Sequence, residues 1–104
     1  MELSIVVPVF NEEENVEPLI GEIRAALAPT LKSYELIAID DGSTDGTFAI
    51  LQRLHRCDPA LHVIRLKRNF GQTAALAAGL ACASGDVVVL MDGDGQNDPA
   101  DIPA

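Results

Sequence analysis

The chain has 104 residues, 48% of them hydrophobic, and a formal net charge of −9. This size allows at most one small domain, and the apolar content favours a folded core over disorder. All seven Lys and Arg residues lie between Arg24 and Arg68, and the charged residues after Arg68 are all Asp. Because proteins neutralise nucleic-acid phosphates with basic surfaces, this charge distribution argues against a nucleic-acid partner.

The sequence carries few signals for export or membrane insertion. Met1 leads directly into a predicted strand, so we expect no signal peptide, and the apolar runs are far shorter than a membrane span. Cys57 and Cys82 fall in predicted helices without a CxxC spacing, which favours reduced thiols over a disulfide in a cytoplasmic protein. His55 and His62 are interpreted as surface residues.

Four β-strands alternate with three helices along the chain. The apolar periodicity of the first helix places five residues on one face, and Asn15 is its expected N-cap. Ser43 or Thr44 is expected to cap the second helix, and the third is rich in small residues. The predicted strands are Leu3–Val9, Glu35–Asp40, Leu61–Leu66 and Val87–Met91. The apolar face of the first helix is Val16, Leu19, Ile20, Ile23 and Leu27, and that of the second helix is Thr47, Ile50, Leu51 and Leu54. The third helix is predicted over Thr73–Ala83.

This alternation predicts an α/β fold, a Rossmann-like parallel sheet with flanking helices and strand order 3-2-1-4. His62 and Arg65 favour an edge position for the third strand. The apolar run Val87–Met91 favours burial of the fourth strand on both faces. The topological switch point would then lie between strands one and four, so that Pro8–Glu12 and Asp92–Asp94 flank one crevice.

Polar residues follow three of the four predicted strands, at the edge where open α/β sheets bind ligands. Glu12 follows strand one, Asp40 ends strand two with Asp41 directly after it, and Asp92 and Asp94 follow strand four. The turn after strand one has no glycine and the chain has no P-loop lysine, so a divalent cation would have to bridge this acidic edge to phosphates.

A simpler interpretation remains open for three acidic residues near these strand ends. Glu12, Glu13 and Asp45 are each placed where a carboxylate could cap the next helix and complement its dipole. Taken singly, each of them fits that structural role as well as a ligand-binding one.

Four motifs occur in the order found in the family-2 inverting glycosyltransferases with the GT-A fold. The chain most resembles the branch of dolichyl-phosphate mannose synthase and the undecaprenyl-phosphate sugar transferases, over essentially its whole length. The motifs that carry the resemblance are Val7–Glu12, Ile39–Thr47, Arg68–Gln72 and Met91–Pro99.

The resemblance implies a nucleotide-diphospho-sugar donor, Mg²⁺ or Mn²⁺, and a polyprenyl-phosphate acceptor at the inner face of the cytoplasmic membrane. It also implies a function in cell-envelope biosynthesis, with a UDP-sugar favoured over a GDP-sugar as donor. The implied nucleotide-sugar-binding residues are Pro8, Phe10, Glu12, Ile39, Asp41, Asp92, Gly93 and Asp94, and the implied metal ligands are Asp94, Gln96 and Asp92.

Two features of the motifs qualify this comparison. The loop Arg68–Gln72 fits the polyprenyl branch, with Arg68 as a positive charge for a phosphate. Alternatively, it is only a β-to-α turn in which Gly71 gives backbone freedom and Asn69 a local cap. In addition, the chain has Gly95 where the family usually has an aliphatic residue, which removes an apolar anchor beside Asp94.

The resemblance further implies that residues 1–104 are the N-terminal, nucleotide-sugar-binding part of a longer GT-A domain. The catalytic base is expected beyond residue 104, so we expect the isolated chain to be incomplete for turnover. An uncovered side of strand four would favour self-association. The alternative function is a noncatalytic nucleotide-binding or assembly module that retains the fold.

Overall fold

The computed structural model describes residues 2–30 and 33–91. Strands and helices alternate along these residues, as the sequence predicts. The elements are β1 (Leu3–Val9), α1 (Val16–Leu27), β2 (Tyr34–Asp40), α2 (Thr47–Cys57), β3 (Leu61–Arg65), α3 (Gln72–Cys82) and β4 (Val87–Leu90).

The strands form one parallel sheet in the order β3-β2-β1-β4, which confirms the predicted topology. β1 lies between β2 and β4, so the chain reverses its winding direction beside β1. The carboxyl ends of β1 and β2 lie next to each other, since Pro8 pairs with Ile39 and Val9 with Asp40. The predicted edge position of β3 is also confirmed.

One face of the sheet is covered by α1 and α2. The five apolar positions predicted for α1 are the five that the helix buries, from Val16 to Leu27. They pack against alternate residues of β1 and β2, such as Ile5 and Leu36, and against Leu51 of α2. Each fully buried aliphatic side chain of this stripe contributes roughly 1.5–3 kcal/mol of hydrophobic stabilisation.

The opposite face of the sheet packs against α3. Ala75 and Gly79 are the buried residues of this helix, and Ala75 contacts a small cluster formed by Val6, Ile37 and Ile39. The small side chains allow α3 to approach the sheet closely, as its composition predicts.

The prediction that β4 is buried on both faces is wrong for the part of the chain that the structure describes. Val87 is 55% exposed and Leu90 46% exposed, whereas Met91 is 3% exposed. Within residues 2–30 and 33–91, β4 pairs with β1 alone and therefore forms a sheet edge. An apolar run predicts burial only if further elements cover it.

The predicted helix caps need correction. α2 begins at Thr47 after Gly46, not after Ser43 or Thr44, because the latter two are engaged by another loop. Asn15 does precede α1, but its side chain makes no capping hydrogen bond with the helix. The third helix ends close to its predicted bound, with Ala83 as the C-cap of α3.

Cys57 and Cys82 end α2 and α3 and are both free and exposed. Among the residues that the structure describes, no helix is both long and apolar enough to cross a membrane.

Candidate functional site

The loops that follow β1 and β2 are joined by hydrogen bonds between side chains and backbone. The N–H of Asn11 donates to Ser43 Oγ at 2.9 Å, and the N–H of Thr44 donates to Asn11 Oδ1 at 2.8 Å. Asn11 has a φ of 52°, a left-handed conformation that asparagine tolerates better than most residues. Two of the predicted strand ends therefore form one continuous surface.

Further contacts extend this connection to the start of α2. The N–H of Glu12 donates to Thr47 Oγ1 at 2.9 Å, and the Glu13 carboxylate accepts the N–H of Gly46 at 3.1 Å. Asp45 accepts the N–H of Thr47 at 2.9 Å. Asp45 thus accepts a hydrogen bond at the start of the next helix, as the structural interpretation expects. Glu13 instead binds the start of α2 rather than that of α1, and the Glu12 carboxylate accepts a hydrogen bond from Asn15.

Asp45 is stabilised in its ionised form. Burial raises the pKa of its carboxyl, but hydrogen bonds from Thr47 and from the N–H of Glu13 together lower the pKa below the ordinary aspartate value. The carboxylate that links the two loops is therefore charged at neutral pH.

Asp40 lies at the end of β2 with no exposed surface. Its Oδ1 accepts the N–H of Ser43 at 2.9 Å. Its Oδ2 has no hydrogen-bond partner among residues 2–30 and 33–91 and lies 3.9 Å from Arg65 Nε. The Arg65 guanidinium also lies 4.3 Å from the centroid of the Phe48 ring. Among the described residues, Arg65 thus supplies the positive charge that lies closest to the buried Asp40 carboxylate.

An open cleft of about 710 Å³ lies between the β2–α2 loop and the end of β3. Its volume is in the range typical of small-molecule sites. Arg65 and Lys67 bring positive charge to the cleft. From sequence, only Arg68 is predicted as a positive charge for a phosphate. The lining residues are Gly42, Ser43, Thr44, Asp45, Arg65, Leu66 and Lys67.

The structure brings together the predicted nucleoside-site residues of β1 and β2, with unequal exposure. Phe10 is 42% exposed just beyond β1, and Glu12 is partly exposed. Pro8 is buried, and the Ile39 side chain is fully buried in the cluster beneath α3. Asp41 is 4% exposed, and its carboxylate faces the loop between β3 and α3.

The β3–α3 loop has the turn geometry expected from sequence but not the cap expected at Asn69. Gly71 has a φ of 100°, which supports the interpretation as a β-to-α turn. Asn69 does not cap α3, because its side-chain amide donates to Asp41 at 3.2 Å. Arg68 is exposed, with its guanidinium 4.8 Å from the centroid of the Phe70 ring.

A second polar cluster, which sequence reasoning missed, lies at the opposite end of the sheet. Glu35 is 4% exposed, and one carboxylate oxygen accepts hydrogen bonds from Ser4 Oγ at 2.6 Å and from Ser84 N–H at 2.8 Å. Its other oxygen lies 3.5 Å from His62 Nε2. The sequence feature that could have indicated this cluster is Glu35 itself, an acidic residue near the start of an apolar strand.

The family is decided by sequence comparison. Residues 4–104 match the model of the family described as glycosyl transferase family 2. The chain belongs to glycosyl transferase family 2. This confirms the resemblance inferred from the four motifs.

Named members of this family are similar to the chain over nearly all of its length. The dodecaprenyl-phosphate galacturonate synthase of Rhizobium johnstonii is 50% identical over 105 residues, covering 100% of this chain and 31% of the relative. The chain therefore spans about a third of the length of the curated relatives it matches.

Two solved glycosyltransferase structures confirm the fold class. The mannosyltransferase PcManGT from Pyrobaculum calidifontis, in complex with GDP-Man and Mn²⁺, has a TM-score of 0.80 and 28% identity, covering 89% of this chain and 27% of that one. S. aureus TarS 1–349 in complex with UDP-GlcNAc has a TM-score of 0.75 and 30% identity, covering 90% and 27%. The parallel sheet is thus that of the GT-A glycosyltransferases.

The predicted metal ligands Asp92, Asp94 and Gln96, together with Gly93, lie outside the described residues. Within residues 2–30 and 33–91, no group of three His, Cys, Asp or Glu side chains could bind a metal ion. Met91, the last described residue, donates its N–H to Val6 O at 2.9 Å at the carboxyl end of β4. Carboxylate and amide oxygens are ligands that Mg²⁺ and Mn²⁺ accept, so the predicted donor set fits such an ion chemically.

Proposed function

We propose that residues 1–104 form the N-terminal, donor-binding part of a GT-A glycosyltransferase domain. The whole enzyme would transfer a sugar from a nucleotide-diphospho-sugar to a polyprenyl phosphate. The observation that carries the proposal is the union of the β1 and β2 ends into one polar surface, which is fixed by the contacts of Asn11 with Ser43 and Thr44. The 50% identity to a dodecaprenyl-phosphate galacturonate synthase supports the acceptor class.

In this proposal, the nucleoside binds at the adjoining ends of β1 and β2. The exposed Phe10 ring offers a flat apolar surface for a base, and Glu12 and Asp41 offer carboxylates near a ribose or base. Pro8 and Ile39 are partners across the two strands and would form the buried support beneath. A UDP-sugar is favoured over a GDP-sugar, and the neighbour with UDP-GlcNAc supports UDP while PcManGT keeps GDP as an alternative.

The diphosphate is proposed to lie along Asp92, Gly93 and Asp94. Asp94, with Asp92 and Gln96, would hold Mg²⁺ or Mn²⁺. When bound, the ion would stabilise the negative charge that develops on the departing nucleoside diphosphate. The Mn²⁺ complex of PcManGT supports use of a divalent ion.

The acceptor is proposed to meet this donor site at the inner face of the cytoplasmic membrane. Residues beyond 104 would supply the catalytic base and most acceptor contacts. In that arrangement, residues 1–104 bind and orient the donor and do not deprotonate the acceptor.

Isothermal titration calorimetry tests the proposal. UDP, GDP and their sugar conjugates are titrated into the 104-residue chain with and without Mn²⁺. We expect binding of at least one nucleotide that strengthens with the metal. Metal-independent binding, or no binding by a chain with a native far-UV spectrum, would contradict the proposal.

A further inference from the structure

Four residues at the amino end of the sheet, here called the amino-end cluster, join β1, β2 and the connection between α3 and β4. One carboxylate oxygen of Glu35 accepts hydrogen bonds from Ser4 Oγ at 2.6 Å, Ser84 N–H at 2.8 Å and Ser84 Oγ at 2.9 Å. Ser4 Oγ in turn accepts the N–H of Gly85 at 2.8 Å. Ser4 and Glu35 are partners in the pairing of β1 with β2, and both are buried. The connection is therefore attached to the sheet directly before β4 begins.

Gly85 allows this connection to lie against the backbone of β1. A Cβ atom at Gly85 would lie 2.6 Å from Ser4 Oγ, 2.7 Å from the backbone nitrogen of Ser4 and 2.8 Å from the carbonyl carbon of Leu3. Two of these three atoms belong to the backbone of a strand that is paired on both sides. A side chain at this position would therefore force the connection away from β1.

The side chains of β4 do not by themselves select its alignment with β1. Leu3 pairs with Val87 and Val6 with Leu90, and all four residues of β4 are apolar. A shift by one residue would place Leu90 in the position of the buried Met91, which is a similar apolar side chain. Register is weakly specified in strands whose two faces are alike. The contacts made just before β4 are thus the feature that distinguishes the observed alignment from its neighbours.

The alignment of β4 decides where the chain leaves the sheet at the carboxyl end. The Met91 N–H donates to Val6 O at 2.9 Å, and Asp92 follows directly in the sequence. A shift by one residue moves each position about 3.3 Å along the strand and turns its side chain to the other face. Because oxygen ligands lie about 2.1 Å from Mg²⁺, a displacement of this size removes a ligand from a magnesium site.

We propose that the amino-end cluster sets the register of β4 and thereby positions the metal ligands that follow this strand. Its members are positioning residues, because they lie at the opposite end of the sheet from the donor site. This inference rests on the proposed function, since it concerns the metal ligands of that site. It makes the metal-dependent part of nucleotide binding depend on contacts that touch neither the metal nor the nucleotide.

Two variants disturb the amino-end cluster by different means. Ser4→Ala removes the hydroxyl that links Glu35 to Gly85, and Gly85→Ala places a methyl group against β1. The exposed Ser33→Ala, which loses a hydroxyl at the same end of the sheet, is the matched control. Ser84→Ala, at an exposed position, replaces any variant that does not fold.

Two measurements are made on each variant. NMR couplings across hydrogen bonds report the register, through the pairs Val87 N–H to Glu2 O and Met91 N–H to Val6 O. Calorimetry with UDP and GDP, with and without Mn²⁺, gives the factor by which the metal strengthens nucleotide binding.

We expect Gly85→Ala to lose both couplings and to lower the Mn²⁺ factor by about tenfold, the scale on which changes behind metal ligands affect metal affinity. Ser4→Ala and Ser84→Ala should weaken the couplings and lower the factor by about threefold, because each removes hydrogen bonds without adding a clash. Any binding measured without Mn²⁺ should stay as in the wild type, whereas a general loss of stability would weaken binding under both conditions. Ser33→Ala should match the wild type throughout.

Wild-type couplings and a wild-type Mn²⁺ factor in the folded variants would overturn the inference while leaving the proposed function intact. A change in only one of the two measurements would likewise overturn it, because the register and the metal site would then be independent. Absence of nucleotide binding by the wild-type chain would overturn the proposed function and this inference with it.

Discussion

Replacement of Glu35 by Ala should destabilise the fold strongly although Glu35 lies far from the proposed donor site. The variant removes the acceptor of three hydrogen bonds, from Ser4 Oγ, Ser84 N–H and Ser84 Oγ. Ser4 has no exposed surface, so its hydroxyl would lose a partner without gaining water. Since a hydrogen bond to a charged group contributes about 1.5–3 kcal/mol and such bonds are not additive, we expect a loss of about 3 kcal/mol.

Glu35→Gln isolates the contribution of the charge. The amide keeps one oxygen that can accept from Ser4 and Ser84, so we expect a smaller loss of about 1 kcal/mol. Urea unfolding followed by far-UV circular dichroism measures both free energies, with the exposed Glu22→Gln on α1 as the matched control. A Glu35→Ala variant within about 0.5 kcal/mol of wild type would refute this reasoning, because surface substitutions usually fall in that range.

The negative charge of Glu35 also predicts that the unfolding free energy depends on pH. Burial raises the pKa of Glu35, but hydrogen bonds from Ser4 and Ser84 and the charge of His62 together lower it below the ordinary value of 4.5. The charged form therefore contributes stability above pH 4.5 that is lost as the pH falls through the lower, folded-state pKa. The difference in unfolding free energy between wild type and Glu35→Gln should shrink below pH 4.5; a difference that grows there would contradict the assignment.

Three further predictions concern the site and the exposed cysteines. Asp94→Ala should abolish the Mn²⁺ dependence of nucleotide binding without changing the far-UV spectrum; loss of the fold would instead mark a structural residue. Asn11→Ala should cost about 2 kcal/mol in urea unfolding, from lost hydrogen bonds and an unfavourable φ, and Asn11→Gly should cost less because glycine tolerates that φ. Equal losses would contradict the role of the left-handed conformation. Cys57 and Cys82 should both react with a thiol reagent in the native chain, and protection of either would contradict their exposure.

The strand order and the helix faces can be predicted from the sequence because they depend on local patterns. The apolar spacing from Val16 to Leu27 matches the buried face of α1 residue by residue. The alternation of strands and helices, with right-handed crossovers, leaves few topologies for a parallel sheet. The predicted order 3-2-1-4 is the one observed.

The start of α2 was mispredicted because long-range contacts outweigh local capping preferences. Ser43 and Thr44 are good N-cap residues by type, but Asn11 engages both from a loop 32 or 33 positions earlier in the chain. The helix accordingly begins at Thr47. A single sequence does not reveal which of two structural roles a serine or threonine will take.

Sequence patterns likewise do not predict the environment of Asp41. Its motif identified it as a site residue, but its three partners at Asn69, Phe70 and Gly71 are 28 to 30 residues distant. The family resemblance indicated which residues belong to the site. Only the packing of the β3–α3 loop against β2 shows how that carboxylate is engaged.

The most direct test of the central claim is to locate nucleotide binding on the chain by NMR. UDP or GDP is added with Mg²⁺ to the ¹⁵N-labelled chain, and amide chemical shifts are followed at the carboxyl edge and at the opposite end of the sheet. The account predicts shifts at Phe10–Glu12, Asp41–Thr44 and Asn69–Gly71, with Glu35 and Ser84 unchanged. Shifts centred on Glu35 and Ser84, or no shifts with either UDP or GDP, would contradict it.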